Sequence, residues 1–315
     1  MDNLAHTLMG AALAEAGLKK KTGLGLPALM IAANIPDVDV IGLLFGENLA
    51  WRRGLTHGPL GLLILPALTA WALWAFDRWQ ARRGKRPEKR LPVHFGWLLA
   101  LCYIGAITHP LLDLMNTYGV RLLSPFSERW FYGDTLFIID VWMWTLLTIG
   151  VVWSQVRGRR GSPRVATPAQ AATAIFLAYV GGMFWFSQTA EATTARAIVE
   201  GGGTPELVVA SPPPGNPFAR EMIYRTENQQ IGWGEVSLGD NPTWVGAPVA
   251  TNMDDPRIAE AAALSKPFRD FLFWSRMPFA RFDGDTVIVS DARYSQAVTN
   301  STFTVSVDLS QPPTE

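Results

Sequence analysis

The sequence predicts a membrane α-helical bundle of four to six hydrophobic helices followed by a small C-terminal α+β soluble domain. Three observations predict it. Hydrophobic residues make up 49% of the chain and charged residues only 17%, against about 25% charged in ordinary globular proteins. The formal net charge of zero hides an asymmetry: residues 1–190 carry 18 Lys+Arg and 11 Asp+Glu, a balance of +7, whereas residues 191–315 carry 9 and 16, a balance of −7. The apolar residues of the first part lie in runs approaching the roughly 17–25 residues that a helix needs to cross hydrocarbon. The chain therefore divides into a transmembrane helical domain at 1–190, a linker at 191–205 and an extracytoplasmic α+β domain at 206–315.

The clearest apolar run is Pro59–Phe76, closed by Asp77 and Arg78. Phe95–Met115, Leu136–Trp153 and Ala171–Ser187 are the other full-length candidates. Two shorter segments, Leu4–Leu18 and Leu24–Ile35, are separated by Lys19, Lys20 and Lys21. Each is marginal for spanning alone, so a tilted or partly inserted hairpin is an equal reading. The positive charges follow the first apolar stretch, which does not read as a cleaved signal peptide. The basic loops at 77–90 and 157–164 are expected on the cytoplasmic side. That threading puts the N-terminus, residues 36–58, residues 116–135 and the whole tail on the opposite side, the periplasm of a bacterial inner membrane. Arg52 and Arg53 run against the rule.

Beyond Gly201–Gly203 and Pro212–Pro214, β-rich runs predict strands at Glu221–Thr226, Gly232–Leu238, Thr243–Val249, Phe279–Phe282, Thr286–Ser290 and Thr302–Leu309. Pro256–Ser265 and Pro267–Trp274 have helical spacing with Pro at each start. About 110 residues can bury a modest core, and the tail carries no catalytic constellation. The single cysteine, Cys102, excludes a disulfide framework and any multi-cysteine metal site. Positive charge in short clusters between apolar runs argues against nucleic acid as a partner.

Ionisable residues in or beside membrane segments read as functional by default. Here they are His6, Asp37, Asp39, His57, His109, Asp113, Asn116, Asp134 and Asp140. Under the threading above, most fall toward one leaflet. His109 and Asp113 are four apart and share a helical face, which Asn116 extends by three. Imidazole and carboxylate without thiolate suit zinc, with manganese or iron as alternatives. Each piece also has a plainer reading. His109 with Asp113 alone fits a helix-packing hydrogen bond, Asp37 and Asp39 fit a helix cap, and His6 fits an interfacial residue. Asp134 fits a turn, and Asp140 fits a partner of Arg121 or Arg129.

The runs Met1-Asp2-Asn3-Leu4-Ala5-His6-Thr7, Asn34-Ile35-Pro36-Asp37-Val38-Asp39, Arg53-Gly54-Leu55-Thr56-His57-Gly58 and Thr108-His109-Pro110-Leu111-Leu112-Asp113 resemble the YdjM/YbcI group. These are bacterial inner-membrane proteins described as metal-dependent hydrolases, and the motifs cover residues 1–140. Phe271-Leu272-Phe273-Trp274-Ser275-Arg276 is similar to the soluble extension of longer members. Some members carry a LexA-binding label, for which the residues here offer no physical support. A more distant likeness is to zinc-dependent phospholipase C and the single-strand nucleases of the same helical fold. Their ligand order is matched by His6, Asp37, His57, His109 and Asp113, and the likeness implies that Asp113 bridges two ions. Those enzymes use further histidines, and this chain has none after His109.

The resemblance and the spacing together imply a membrane-bound hydrolase acting through metal-activated water at the outer face. The five residues are the expected ligands, and Asp39 a second ligand or the base that orients water. Asn116 is expected to steady a ligand or substrate oxygen. Arg52, Arg53 and Thr56 are expected to meet an anionic group, on a phosphoester or a lipid-linked ester, with membrane lipid as the surrounding partner. An ion-coupled transporter and a noncatalytic scaffold with a periplasmic partner-binding domain are the alternatives.

Overall fold

The computed structural model describes residues 1–45, 48–295 and 303–310. The chain divides into two compact units, Met1–Phe184 and Trp185–Glu315.

The first unit is helical. Helices α1 (Asn3–Glu15), α2 (Gly25–Ala32), α3 (Asn48–Trp51), α4 (Pro59–Arg82), α5 (Phe95–Leu114) and α6 (Val141–Arg159) lie within it, and α7 (Thr167–Glu200) begins in it. A 3₁₀ segment, Ile35–Phe45, follows α2. Among the described residues, four stretches are long and apolar enough to cross a membrane: Gly25–Gly42, Pro59–Arg82, Phe95–Leu114 and Thr167–Glu200. On α4, Leu63, Ile64, Leu68 and Trp71 stand exposed, as they would against lipid rather than water. The expected run Leu136–Trp153 forms a helix only from Val141, because Asp140 stops it. The Asp140 carboxylate accepts from Met143 N at 2.7 Å, capping the helix, and from Tyr179 Oη at 3.0 Å.

Inside this unit the helices meet through small residues. A Cβ on Gly10 would stand 2.6 Å from the carbonyl oxygen of Leu29, and one on Gly105 would stand 2.7 Å from the same atom. Helix α2 is thus gripped closely by α1 and α5, the small-residue packing that membrane helices favour in the absence of a hydrophobic drive between them. Asp2 caps α1 by accepting from Leu4 N and Ala5 N, and its other oxygen accepts from Trp144 Nε1 at 3.1 Å. At the far end of α4, the buried Asp77 holds Arg86 at 3.0 Å and Arg90 at 2.9 Å, folding the basic loop back on the helix.

The second unit contains an antiparallel meander of β1 (Pro205–Ser211), β2 (Ala219–Thr226), β3 (Gln230–Ser237) and β4 (Thr243–Ala250). A three-stranded antiparallel sheet follows, with β5 (Pro278–Asp283), β6 (Thr286–Asp291) and β7 (Thr304–Asp308). Helices α8 (Pro256–Leu264) and α9 (Lys266–Trp274) lie between the sheets in sequence, each with Pro in its first turn and a side-chain cap from Asp255 or Ser265. The expected strands and both helices are present, although Thr302 lies outside the described residues. One expectation is corrected and one strand was not foreseen. Residues 191–200 are the end of α7, since neither Gly nor Pro occurs between 191 and 200, so the expected linker at 191–205 is helical over most of its length. Pro205–Ser211 is a strand that the neighbouring glycines and prolines obscured.

Helix α9 buries Phe268, Phe271 and Trp274, one stripe at helical spacing, each stabilising the unit by roughly 1.5–3 kcal/mol. Trp274 stacks on Tyr294 and Phe303 and takes the guanidinium of Arg293 over its ring at 4.9 Å. Arg293 pairs at 2.8 Å with Asp291, and both are fully enclosed. Burial acts to raise the Asp291 carboxyl, but Arg293 and Ser275 outweigh it and hold the group below the usual carboxylate value. Its contribution is therefore fully present above the unfolded value of about 3.9 and is lost as pH falls through the depressed folded value. Thermal scans of the detergent-purified chain followed by tryptophan fluorescence should show the second unit losing stability on acidification below about pH 4. Asp291→Asn should cost about 3–5 kcal/mol at neutral pH, because it strands a buried guanidinium, and should flatten that acid dependence.

Candidate metal centre

Four segments distant in sequence supply the cluster. His6 comes from the first turns of α1, Asp37 and Asp39 from the 3₁₀ segment after α2, and His57 from the turn before α4. His109 and Asp113 come from α5, one turn apart on one face. Among the described residues, three overlapping groups have ligand atoms within 4.8 Å of one another: His6, Asp37 and His109; His57, His109 and Asp113; and Asp37, Asp39 and His57. The three imidazoles and Asp113 are fully or almost fully buried, while Asp37 is 12% exposed and marks the open side.

The backbone beside His57 is closely packed. A Cβ on Gly58 would fall 2.0 Å from the carbonyl oxygen of Ser124, and one on Gly61 2.5 Å from that of Leu55. Gly58 precedes Pro59, whose fixed φ suits the first helical position. His57 is thereby held between the start of α4 and the loop that carries Ser124.

The tautomers follow from the neighbours. His109 Nδ1 lies 2.6 Å from the carbonyl oxygen of Ala33, an acceptor only, so Nδ1 carries the hydrogen and Nε2 presents a lone pair. His57 Nδ1 lies 3.0 Å from Thr56 Oγ1 and 3.6 Å from Asp39 Oδ2. The hydroxyl can accept from that ring nitrogen while donating to Asp39 at 3.5 Å, which turns the Nε2 lone pair of His57 inward as well. Burial pushes His57 below its ordinary value, with Asp113 opposing, so the neutral imidazole is favoured.

The result is a convergence of acceptors. His57 Nε2 and His109 Nε2 stand 3.1 Å apart. Asp113 Oδ2 is 3.2 Å from the first and 3.4 Å from the second, and Asp37 Oδ1 is 3.9 and 3.7 Å away. Asp113 Oδ2 and both ring nitrogens of His6 are buried without a hydrogen-bond partner. Lone pairs and carboxylate oxygens do not gather in a dry site unless a proton or a cation lies among them. The donor set therefore fits a divalent metal ion, and these buried His and Asp groups could hold one.

A family model described as YdjM inner membrane protein matches residues 1–190. The chain belongs to that family. No curated protein and no solved structure matches it. The match covers the whole cluster and all the helices that carry it, and the second unit lies beyond it apart from its first residues.

The remaining residues singled out from sequence divide in two. Arg52 is partly exposed beside the open side, 3.4 Å from Asp39 and 4.0 Å from Asp37, with Thr56 close by on His57. Arg53 instead points inward and is only 3% exposed. Asn116, also buried, accepts from Arg53 Nη1 at 3.0 Å and from Tyr118 N at 2.9 Å. Its oxygen is thus turned to protein partners. Asp134 takes a left-handed turn conformation, φ 46°. Sequence reasoning missed the carbonyl of Ala33, which fixes His109, and Arg121, whose guanidinium borders Gly54 and whose backbone N–H bonds the Arg53 carbonyl at 2.8 Å. The amino group of Met1 also lies against Asp113 Oδ1.

Gly58→Ala should destabilise the protein by about 1–3 kcal/mol, since the backbone must shift to accommodate it. Gly96→Ala, at a position with open space around it, should not. Paired thermal unfolding midpoints in detergent check the contrast.

Proposed function

We propose that the chain is a membrane-bound, metal-dependent hydrolase with its site at the outer membrane face, acting on a phosphoester or a lipid-linked ester. The observation that carries the reading is the gathering of imidazole nitrogens and carboxylate oxygens at one end of the helical unit, with Asp113 Oδ2 buried among them and without a hydrogen-bond partner. His6, Asp37, His57, His109 and Asp113 would hold the ion, with zinc the first candidate for such a nitrogen and oxygen set. When bound, a divalent ion of this kind lowers the pKa of a coordinated water toward neutrality and so supplies hydroxide.

The protein's own groups do the rest. Asp39 and Thr56 keep His57 in the tautomer that presents Nε2, and the Ala33 carbonyl does the same for His109, the supporting arrangement that ligand histidines require. Asp37, the most open of the carboxylates, borders the entry. Arg52 at the same opening suits an anionic oxygen of the substrate, which a guanidinium pairs in bidentate fashion. Apolar side chains beside this opening, Val38, Val40 and Ile41 on the 3₁₀ segment and Leu55 before α4, are exposed. They favour a substrate whose own apolar part stays in the bilayer.

Metal content of the detergent-purified chain, measured by mass spectrometry, tests the reading. Zinc, manganese or iron should be present in the wild type and lost in His109→Ala and Asp113→Ala variants that remain folded. Asp39→Asn should weaken metal affinity about 10–100-fold without removing a main ligand. Absence of any bound metal after reconstitution at neutral pH would sink the hydrolase reading. The placement has its own test. A cysteine at Phe126, which is exposed on the cluster side of α5, should react with an impermeant thiol reagent in intact cells. A cysteine at Lys89, in the basic loop, should not.

A further inference from the structure

The two oxygens of Asp113 face different neighbours. Oδ2 is turned to His57 Nε2 and His109 Nε2 and lacks a hydrogen-bond donor. Oδ1 faces Arg53 Nη2 at 3.2 Å, with His6 Nε2 at 3.4 Å and the Met1 amino group against it. A carboxylate that bridges two metal ions gives one oxygen to each. Here one oxygen is already taken by a guanidinium.

We propose that Arg53 stands where a second cation would sit at Asp113, so that the centre holds one divalent ion and not a carboxylate-bridged pair. The inference rests on the metal-centre reading above and changes what Asp113 does within it.

Arg53 is built into that position. Its backbone is left-handed, φ 52°, and is fixed from both sides: N donates to Asp39 Oδ2 at 2.7 Å, and O accepts from Arg121 N. Nη1 donates to Asn116 Oδ1 at 3.0 Å and to the Gly119 carbonyl at 3.1 Å. The guanidinium lies over the Tyr118 ring at 4.7 Å. These contacts leave it no freedom to swing toward a substrate. An arginine cannot shed its proton in a protein, so the positive charge facing Oδ1 is permanent.

The charge balance points the same way. Asp37, Asp39 and Asp113 face Arg52 and Arg53, three carboxylates against two guanidiniums. One divalent ion already overshoots neutrality by a single charge. A second ion would leave a larger uncompensated positive charge in a buried site, which is costly. Arg53 is thus a positioning residue. It orients Asp113 and reserves Oδ2 for the ion.

The test uses the full-length chain in detergent, loaded with Mn²⁺ and freed of excess, with stoichiometry read by mass spectrometry and spin coupling by electron paramagnetic resonance. One Mn²⁺ per chain with a six-line, uncoupled spectrum is expected for the wild type, and the same for Arg53→Lys. Arg53→Ala should take up a second Mn²⁺ and show an exchange-coupled spectrum. Two coupled ions in the wild type, or an Arg53→Ala variant indistinguishable from it, would overturn the proposal. Should Arg53→Ala fail to fold, the wild-type stoichiometry and spectrum decide alone. No Mn²⁺ in the wild type would overturn the metal-centre reading itself, so the two failures are distinguishable.

Discussion

A carboxylate buried among helices has to be compensated, and the helical unit is arranged around compensating Asp113. An isolated buried anion costs several kcal/mol, yet Asp113 is 1% exposed. Its neighbours come from the chain start, from α1, from the turn before α4 and from α5 itself. Each must arrive within about a hydrogen-bond length for the charge to be tolerated. That requirement fixes the register of the helix ends more tightly than apolar packing would, because lipid-facing side chains gain little from one register over another.

Close packing makes the convergence geometrically feasible. Glycines at 10 and 105 let α1 and α5 both lie against the α2 backbone at Leu29. With α2 so held, its C-terminal Ala33 carbonyl reaches His109, and the chain emerges from it directly into Asp37 and Asp39. Asn34 secures the junction, donating to Thr7 Oγ1 at 2.9 Å and so to α1 at the residue next to His6. Small residues in the interior thus determine where the polar residues at the end can meet.

Much of this was legible in the sequence because hydrocarbon penalises charge. His6, Asp37, His57, His109 and Asp113 stand out against apolar surroundings, and the four-residue spacing of His109 and Asp113 puts them on one face without further information. The strands and helices of the second unit were legible from alternation and from Pro at the helix starts. The division of labour between Arg52 and Arg53 was not. Adjacent arginines look alike in sequence, and only the left-handed backbone at Arg53 sends its side chain inward while Arg52 remains at the opening. The roles of Ala33 and Arg121 were equally hidden, since a backbone carbonyl has no signature and Arg121 read instead as a possible partner of Asp140. Strand β1 was masked by the punctuation around it, and the end of α7 by an expectation that charge marks a boundary.

The cluster's order along the chain has a consequence for how the protein comes to be made. Its side chains lie at positions 6 to 113, and the loop that braces Arg53 ends soon afterwards at Arg121. The second unit begins at Trp185. During synthesis, every group that neutralises Asp113 has left the ribosome before the first residue of the tail unit is joined. The earliest helix must wait for the fifth, a span of about a hundred residues, with its histidine unpartnered in the meantime. Assembly of the centre is therefore a late act for the amino terminus and an early one for the whole polypeptide, and the tail unit grows onto a bundle whose polar end can already be closed.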